Sequence, residues 1–355
     1  MMESISLLKE LVEIDSSTIE KANEVIDYLA AYLKNNGIHG KILEYKGYKS
    51  YVSTIGEGSK TLVLNGHLDV VSGKEEQFKP YIDGDRFYGR GSADMKGGVV
   101  AIVQAMIRLK KEPLNCKVML QLVTDEEIGG FHCTRYLVEK GYIGDFVICT
   151  EPTNMTLSIQ AKGIMRLDIV TNGFSAHGSR PWEGENAILK SMRNYEKIEK
   201  LPILRIGSEF YEKTSINLAL IKGGDIYNRV PDHSFMGLDI RYVPHIDPEK
   251  IVKDIEEVVE GEVIVKVIEP GINVSVECED LKNLMKVIKE VTGIDQVKTS
   301  GQHGSSDARF FTSIGVPAIE FGPIGEHWHG DSEYVTMSSV LNLENILVEY
   351  AKQFQ

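Results

Sequence analysis

The 355-residue sequence has few cysteines, no long apolar run and a deficit of basic residues. Its four cysteines form no CxxC pair, which favours reduced thiols in a cytoplasmic protein over a disulfide framework. No stretch approaches the ~18 consecutive apolar residues of a membrane-spanning helix. Lys and Arg number 39 against 52 Asp and Glu, a formal net charge of −13. This balance disfavours nucleic acid and anionic membranes as partners, because both bind basic surfaces.

Two common hydrolase patterns are also missing. None of the nine histidines is followed by Glu, so the HExxH motif of helix-borne single-zinc peptidases is absent. The segment GSSDA at 304–308 is one residue short of the GxSxG nucleophile elbow. The elbow follows a buried strand, whereas residues 296–303 are mostly polar. A loop that binds substrate is the better interpretation, with a serine hydrolase as the alternative.

The length predicts two domains with a sizeable core. Helical and strand patterns alternate over the first 160 residues, which is typical of an α/β domain with a mainly parallel, covered sheet. Residues 163–269 follow the order β-α-β-β-α-β of a ferredoxin-like α+β unit. We therefore expect a catalytic domain formed by residues 1–162 and 270–355, interrupted by a small domain at 163–269. The first fifteen residues predict an amphipathic helix rather than a signal peptide.

Potential metal ligands follow several predicted strands. His67 comes after the apolar run at 61–65, Glu126 and Glu127 come after 118–123, and Glu151 comes after 146–149. The carboxyl ends of parallel strands meet at one edge of a sheet, where open α/β proteins place their sites. Asp94 lies in the glycine-rich segment GRGSADMKGG, where a crowded backbone would direct its carboxylate into a shared space.

Each of these residues also has an ordinary structural interpretation. His67 can simply end a strand, Asp94 can cap the helix that follows, and an acidic pair can be a solvated turn. The segment EHWHGDSE at 326–333 offers His327 and His329, of which both or only one can be a ligand. The coincidence of five such groups in an acidic chain favours a metal centre. Asp69, two residues after His67 in an extended segment, would point the same way and orient its ring.

The set of motifs resembles one family along the whole chain, the dinuclear zinc amidohydrolases that include desuccinylases, acetylornithine deacetylase, aminoacylase and glutamate carboxypeptidase. The motifs occur in family order: GHLDVV, GRGSADMKGG, TDEEIGG, EPT, GFSAHGSRPWEGENA, GGDIYNRVP, LDIRY, SSDARFF and HWHGDSE. Met95 stands where many members have a second Asp, a difference that leaves the ligands unchanged. The resemblance implies a zinc-peptidase-like catalytic domain with an inserted lid or dimerisation domain.

The resemblance also assigns the ligands of two zinc ions, for which cobalt would substitute. His67, Asp94 and Glu151 would hold one metal, and Asp94, Glu127 and His329 the other, with Asp94 bridging. His329 is preferred to His327 because the family histidine lies four residues before a glutamate, here Glu333.

Further positions are assigned by the same resemblance. Glu126 would be the general acid/base and Asp69 the residue that orients His67. His177 would stabilise the oxyanion, in its own chain or across a homodimer. We expect an N-acyl amino acid substrate with several carboxylates, such as N-succinyl-diaminopimelate, with acetylornithine or dipeptides as alternatives. Its binding is assigned to Asn228, Arg241, Ser305 and Arg309, the two arginines being suited to carboxylates by their planar forks.

Overall fold

The computed structural model describes residues 2–355, which divide into two compact units. The first unit contains the chain up to Ile159, Val274–Ser300 and Ser306–Gln355, and the second contains Gln160–Asn273 and Gly301–Ser305. The inserted unit thus begins at 160 rather than the expected 163 and ends at 273 rather than 269.

The segment at 301–305 also departs from expectation, because the sequence analysis placed it in the catalytic domain. The carbonyl oxygen of Gln302 accepts hydrogen bonds from the Lys162 N–H at 3.2 Å and from the Tyr211 hydroxyl at 2.9 Å. These bonds join the segment to the second unit, a tertiary connection that local sequence does not encode.

Residues 2–355 form nine α-helices and seventeen strands, together with several single turns of other helix types. The helices are α1 Met2–Val12, α2 Ile19–Asn35, α3 Gly97–Leu109, α4 Thr134–Glu139, α5 Ala187–Glu199, α6 Pro248–Val258, α7 Glu279–Thr292, α8 Ala308–Thr312 and α9 Met337–Gln353. The strands are β1 Gly40–Tyr45, β2 Tyr48–Ile55, β3 Thr61–His67, β4 Tyr81–Asp83, β5 Arg86–Tyr88, β6 Lys117–Val123, β7 Phe146–Cys149, β8 Leu157–Ala161, β9 Gly163–Asn172, β10 Ser215–Gly223, β11 His233–Tyr242, β12 Glu262–Glu269, β13 Ile272–Asn273, β14 Thr299–Gln302, β15 Ala318–Glu320, β16 Gly325–Glu326 and β17 Tyr334–Thr336.

The first unit is built on a mixed sheet with the strand order β1-β2-β6-β3-β7-β15-β8. Its four central strands, β6, β3, β7 and β15, are parallel to one another, and the outer pairings are antiparallel. Helices α3, α8 and α2 pack against strands of this sheet, and α9 packs on α3. The prediction of an α/β domain with a mainly parallel sheet is confirmed. A smaller antiparallel sheet, β16-β17-β5-β4, belongs to the same unit.

Local sequence explains the principal helices. Helix α3, with the sequence GGVVAIVQAMIRL, is apolar all round and is accordingly buried on nearly every face. Helix α2 is capped by Thr18, whose hydroxyl accepts the N–H of Lys21, and it buries one apolar stripe. Helix α6 is capped by Asp247, with Pro248 in the first position of the helix. Of the helices between residues 2 and 355, none is both long and apolar enough to cross a bilayer.

The second unit is a four-stranded antiparallel sheet of order β10-β11-β9-β12, with helices α5 and α6 packed against it. Its elements follow the chain as β9-α5-β10-β11-α6-β12, the order that the sequence predicted. Alternating side chains of β9 and β11, such as Leu167 and Leu238, are buried under the helices. Strand β10 lies at one edge of the sheet.

Candidate metal centre

Three parallel strands deliver potential ligands to one edge of the first unit's sheet. His67 is the last residue of β3, and it pairs with Val123 at the end of β6. The turn that follows β6 carries Glu126 and Glu127, and Glu151 follows the end of β7. Because β6, β3 and β7 are parallel neighbours, all four side chains emerge at the carboxyl edge.

Asp94 reaches this edge from a tightly held loop. The loop begins at Gly91, whose φ of +74° suits glycine, and continues through Ser92–Lys96, where Asp94 and Met95 have non-helical φ and ψ angles. The buried carboxylate of Glu333 accepts the backbone N–H groups of Gly91, Ala93 and Asp94 at 2.9, 3.0 and 3.1 Å. It also accepts a hydrogen bond from Arg90 at 2.7 Å. The loop backbone is therefore fixed by one side chain.

The ligand atoms fall into two groups that share Asp94. In the first, His67 Nε2 lies 3.1 Å from Asp94 Oδ1 and 3.9 Å from Glu151 Oε2. In the second, His329 Nε2 lies 3.2 Å from Glu127 Oε1 and 3.4 Å from Asp94 Oδ2. Within each group one ligand atom per residue lies within 4.8 Å of the others.

His327, the other candidate histidine, does not enter either group of ligand atoms. Its Nε2 lies 4.0 Å from Glu326 Oε2, and its ring lies 6.2 Å from the Tyr334 ring. The structure thus brings His329 rather than His327 to the carboxylates.

Asp69 contacts both sides of the centre. Its backbone oxygen lies 2.9 Å from His67 Nδ1, and its Oδ1 lies 3.5 Å from the same nitrogen. Its other carboxylate oxygen, Oδ2, accepts the N–H of Glu127 at 2.9 Å. The predicted orientation of the His67 ring thus comes chiefly from the Asp69 main chain, while the side chain also positions the glutamate turn. Glu126 Oε2 lies 4.0 Å from His67 Nε2, at the side of the centre.

The electrostatics of the centre reflect crowded carboxylates. Burial raises the pKa of Glu126, Glu127 and Glu151, because the charged forms lose hydration. Burial acts in the same direction on Asp94, but hydrogen bonds with His329 and His67 hold its pKa well below the usual range. The hydrogen bond to Asp94 is the main cause that raises the pKa of His329 to about 9.

The donor set fits divalent metal ions. Two imidazole nitrogens and three carboxylates converge, one of the carboxylates being shared, and imidazole with carboxylate is a combination that zinc binds in proteins. Asp69 Oδ1, which is buried, has no hydrogen-bond partner in the part of the chain that the structure describes.

Four of the predicted functional residues lie in the second unit. His177 and Asn228 are exposed and come from adjacent segments, joined by the Gly178 N–H donating to the Asn228 carbonyl at 2.7 Å. Arg241 is partly exposed, and its Nε donates to Asp239 Oδ1 at 2.7 Å. Ser305 Oγ is buried without a hydrogen-bond partner among residues 2–355.

Arg309 lies in the first unit and has contacts that the sequence did not predict. Its side chain is buried, and its guanidinium donates to the carbonyls of Gly129 at 2.6 Å and Ser306 at 2.9 Å. The sequence analysis assigned this fork to a substrate carboxylate. In the structure, Nη1 and Nη2 of this fork each donate to a main-chain carbonyl.

Sequence reasoning also missed residues that organise the centre. The sequence analysis used Glu333 only to choose His329 over His327. In the structure its carboxylate accepts three backbone N–H groups of the Asp94 loop. Lys96 is fully buried and donates to the carbonyls of Leu11 and Ile14 at 2.8 and 3.2 Å. Glu333 and Lys96 both lie inside motifs that the sequence analysis had singled out, which was the only sequence signal that they matter. Their hydrogen-bond partners are set by tertiary structure and could not be predicted.

The chain is similar over nearly its whole length to a curated protein and to several solved structures. The chain is 28% identical over 379 residues to a protein of Ehrlichia canis named succinyl-diaminopimelate desuccinylase, covering 99% of this chain and 98% of that protein. Among solved structures, the aminopeptidase PepT of Bacillus cereus superposes with a TM-score of 0.83 at 19% identity, covering 99% and 98% of the two chains. The YXEP protein of Bacillus subtilis, described as a dinuclear metal-binding peptidase, has a TM-score of 0.73 at 14% identity, with coverage of 99% and 97%.

The family match extends over most of the chain. Residues 63–353 match the sequence profile of peptidase family M20/M25/M40. The prediction of a metal-dependent hydrolase of amide bonds is thereby confirmed, and so is the family resemblance on which it rested. This chain belongs to peptidase family M20/M25/M40.

Proposed function

We propose that the protein removes the acyl group from an N-acyl amino acid, with N-succinyl-diaminopimelate as the preferred substrate. The observation that carries the proposal is the pair of ligand groups sharing Asp94, with Glu126 beside them. The substrate itself is inferred from the desuccinylase of Ehrlichia canis, which aligns over nearly the whole chain. Hydrolysis of an unactivated amide requires polarisation of its carbonyl and a proton for the leaving amine.

Two zinc ions are the proposed cofactors, with cobalt able to substitute. His67, Asp94 and Glu151 would hold one ion, and Asp94, Glu127 and His329 the other. Bound zinc would supply Lewis acidity to the reaction. Asp69 would support both groups through its contacts with His67 and the Glu127 N–H.

Glu126 is the proposed general acid/base. It is not a member of either ligand group, and burial raises its pKa. A carboxylate with a raised pKa accepts a proton readily near neutral pH and returns it to a stronger base. Glu126 would take a proton from the attacking water and deliver it to the leaving amine nitrogen.

Residues of the second unit are proposed to bind the substrate. His177 would donate to the developing oxyanion, and the neighbouring Asn228 would bind the acyl group. Arg241 retains partial exposure beside Asp239, so one edge of its fork can reach a substrate carboxylate. Ser305 supplies a hydroxyl that lacks a partner among the described residues.

A homodimer is the proposed assembly, formed through the second unit. Strand β10 is an edge strand, and Leu220 and Ile221 on it are exposed, as are Leu189 and Met192 on α5. An exposed apolar edge strand is a template for pairing with another chain. A second copy would cover these side chains and allow His177 to act across the interface.

The proposed location is the cytoplasm, and the proposed process is amino-acid biosynthesis. All four cysteines are free thiols, and Cys116, Cys133 and Cys149 are buried. Buried reduced cysteines suit a reducing compartment. The desuccinylase similarity supports the biosynthetic assignment.

A second candidate activity is the hydrolysis of dipeptides or of acetylornithine. The observation that favours it is the engagement of Arg309 by two carbonyls, which removes one of the two forks expected for an acidic substrate. A neutral N-acyl amide or a dipeptide would need fewer positive contacts.

The test is a substrate panel measured with and without metal. N-succinyl-diaminopimelate, acetylornithine, other N-acyl amino acids and dipeptides are assayed after exhaustive chelation and after addition of zinc or cobalt. We expect metal-dependent hydrolysis with the highest kcat/KM for N-succinyl-diaminopimelate. A higher kcat/KM for dipeptides would establish the second candidate, and activity that survives chelation would contradict both.

A further inference from the structure

The turn that carries the two glutamates has little structure of its own. It consists of a short 3₁₀ turn at Glu126–Ile128 followed by Gly129 and Gly130, with φ angles of +112° and +65°. Three backbone hydrogen bonds close it: Gly129 N–H donates to the Glu126 carbonyl at 2.7 Å, and the N–H groups of Gly130 and Ile128 donate to the Asp125 carbonyl at 2.7 and 3.4 Å. Glycines have wide conformational freedom, so contacts from outside the turn must select this conformation.

Arg309 supplies one such contact at the glycine end of the turn. Its guanidinium donates to the Gly129 carbonyl at 2.6 Å and to the Ser306 carbonyl at 2.9 Å. The second bond ties the guanidinium to its own segment, so the Gly129 carbonyl is held against Ser306–Arg309, which we call the bracing segment. Arg309 lies close to the rings of Phe310 and Phe131, at 4.3 and 5.8 Å from their centroids. These rings restrict the orientation of the planar fork.

Asp307 supplies a second contact from the bracing segment. Its Oδ2 accepts the Thr134 hydroxyl at 2.5 Å, at the start of the helix that follows the turn. Its Oδ1 lies 2.0 Å from the position that a Cβ on Gly130 would occupy. The carboxylate therefore fills the space beside the Gly130 backbone. Asp307, Arg309 and Thr134 are all buried.

The opposite end of the turn is held by Asp69, whose carboxylate accepts the Glu127 N–H. The glutamates thus lie between two anchors, Asp69 on one side and the bracing segment on the other. A turn held at both ends keeps its side chains within the narrow range of positions that metal binding and proton transfer require.

We propose that Arg309 and Asp307 are positioning residues, which hold the Glu126–Gly130 turn so that Glu126 and Glu127 face the metal centre. The expected effect on catalysis rests on the proposed function, whereas the positioning of the turn does not depend on it. It assigns Arg309 to the main chain of the protein rather than to a carboxylate of the substrate.

The kinetic test compares Arg309→Ala and Arg309→Lys on an acidic and a neutral substrate. We expect Arg309→Ala to lower kcat by ~10–100-fold, the usual loss for a residue that orients metal ligands, to the same extent on both substrates. KM should change by less than about threefold, because substrate binding is unaffected. Arg309→Lys should recover part of kcat, since an ammonium can donate to one of the two carbonyls. The control is Arg135→Ala, an exposed arginine on α4 paired with Glu139.

A second test does not depend on activity. Hydrogen–deuterium exchange is measured on metal-free protein for peptides covering residues 125–132. Arg309→Ala should accelerate exchange in this segment by ~10-fold or more, because opening of the turn becomes easier, while a reference peptide from β3 stays unchanged. Thr134→Val and Thr134→Ser form a matched pair, since serine keeps the hydroxyl that binds Asp307 and valine removes it. Exchange should rise in the valine variant and remain near wild type in the serine variant.

The outcomes distinguish a positioning role of Arg309 from a role in substrate binding. A rise in KM confined to the acidic substrate, with unchanged exchange at residues 125–132, would overturn the positioning of the turn and return Arg309 to the substrate. Unchanged exchange in the Thr134→Val variant would remove Asp307 from the proposal. If wild-type protein hydrolyses no amide in the presence of metal, the proposed function fails, while the exchange results still decide whether the bracing segment holds the turn.

Discussion

The carboxylate of Glu333 accepts the backbone N–H of Asp94, the residue shared by both ligand groups, at 3.1 Å. Two more N–H groups of the same loop and the Arg90 guanidinium donate to that carboxylate. One buried side chain thus sets the position of the Asp94 backbone, and the Arg90–Glu333 pair is almost fully buried. Removal of a charge from such a network leaves buried donors without a matched acceptor.

Glu333→Gln is accordingly expected to weaken metal binding. The amide keeps the size of the side chain but loses the charge that accepts four hydrogen bonds, so the loop should relax and Asp94 should move. A loss of ~10–100-fold in metal affinity is the expected scale. Competition with a chromogenic chelator measures it. Asp331→Asn, an exposed carboxylate two positions away, is the control, and equal affinities in both variants would show that Glu333 does not position Asp94.

Glu126→Gln should retain both metals yet lose most of its turnover. The side chain lies outside the two ligand groups, so ligation is preserved while proton transfer is lost. General acid–base catalysis contributes ~10²–10⁴-fold, which sets the expected fall in kcat. Elemental analysis and steady-state kinetics are measured together. Glu127→Gln is the matched variant and should lose metal instead, and the reverse pattern would mean that the two glutamates have exchanged functions.

Glu320 is expected to make the stability of the metal-free protein depend on pH. Burial raises the pKa of this carboxyl to about 7, although Ser306 and Ser158 partly offset the effect. The folded state therefore holds the proton more tightly than the unfolded state, whose pKa is near 4.5. This contribution is fully present below pH ~4.5 and is lost as the pH rises towards 7, by about 3 kcal/mol in the free energy of unfolding.

Glu320→Gln removes this dependence. Urea unfolding of the chelated variant and wild type is compared at pH 5 and pH 8. The glutamine variant should gain stability relative to wild type by ~2–3 kcal/mol on going from pH 5 to pH 8. A difference that does not change with pH would show that Glu320 titrates normally in the folded protein.

His177→Ala should slow the chemical step and leave metal content unchanged, since His177 is not a member of either ligand group. If the histidine acts across a dimer, mixing this variant with Glu126→Gln should restore activity, because one mixed site then has both intact residues. Subunit exchange is confirmed by native mass spectrometry. His245→Ala, another exposed histidine of the second unit, is the control. Full activity of a wild-type monomer would show that His177 does not act across a dimer.

The sequence predicted the strand-end ligands because their positions follow from a simple rule. Apolar runs that end before His67, Glu126 and Glu151 predict parallel strands, and parallel strands share a carboxyl edge. The small sheet formed by β4, β5, β16 and β17 was not predicted, since strands of two or three residues carry no recognisable alternation. His329 reaches the centre from a loop between two of these strands, which is why its choice over His327 needed the family resemblance.

Arg309 shows a different limit of prediction from the sequence. Its chemistry suits a carboxylate of the substrate equally well as two carbonyls of the chain, and nothing local distinguishes the two. The decisive partner, Gly129, lies 180 positions earlier in the sequence. Glu333 is similar, because its partners at 90–94 are about 240 positions away. Periodicity and motif spacing cannot predict which distant backbone groups a buried polar side chain will bind.

The sheet order has a consequence for synthesis of the protein. Strand β15 lies between β7 and β8, although it follows them in the chain by more than 150 residues. Until residue 320 has left the ribosome, β7 and β8 have no neighbour between them, and each presents an open hydrogen-bonding edge. The four strands of the second unit's sheet, by contrast, have all been synthesised by residue 269. The nascent chain therefore holds all strands of the small sheet while the large sheet is incomplete, and β7 and β8 gain their shared neighbour only when Ala318–Glu320 arrive.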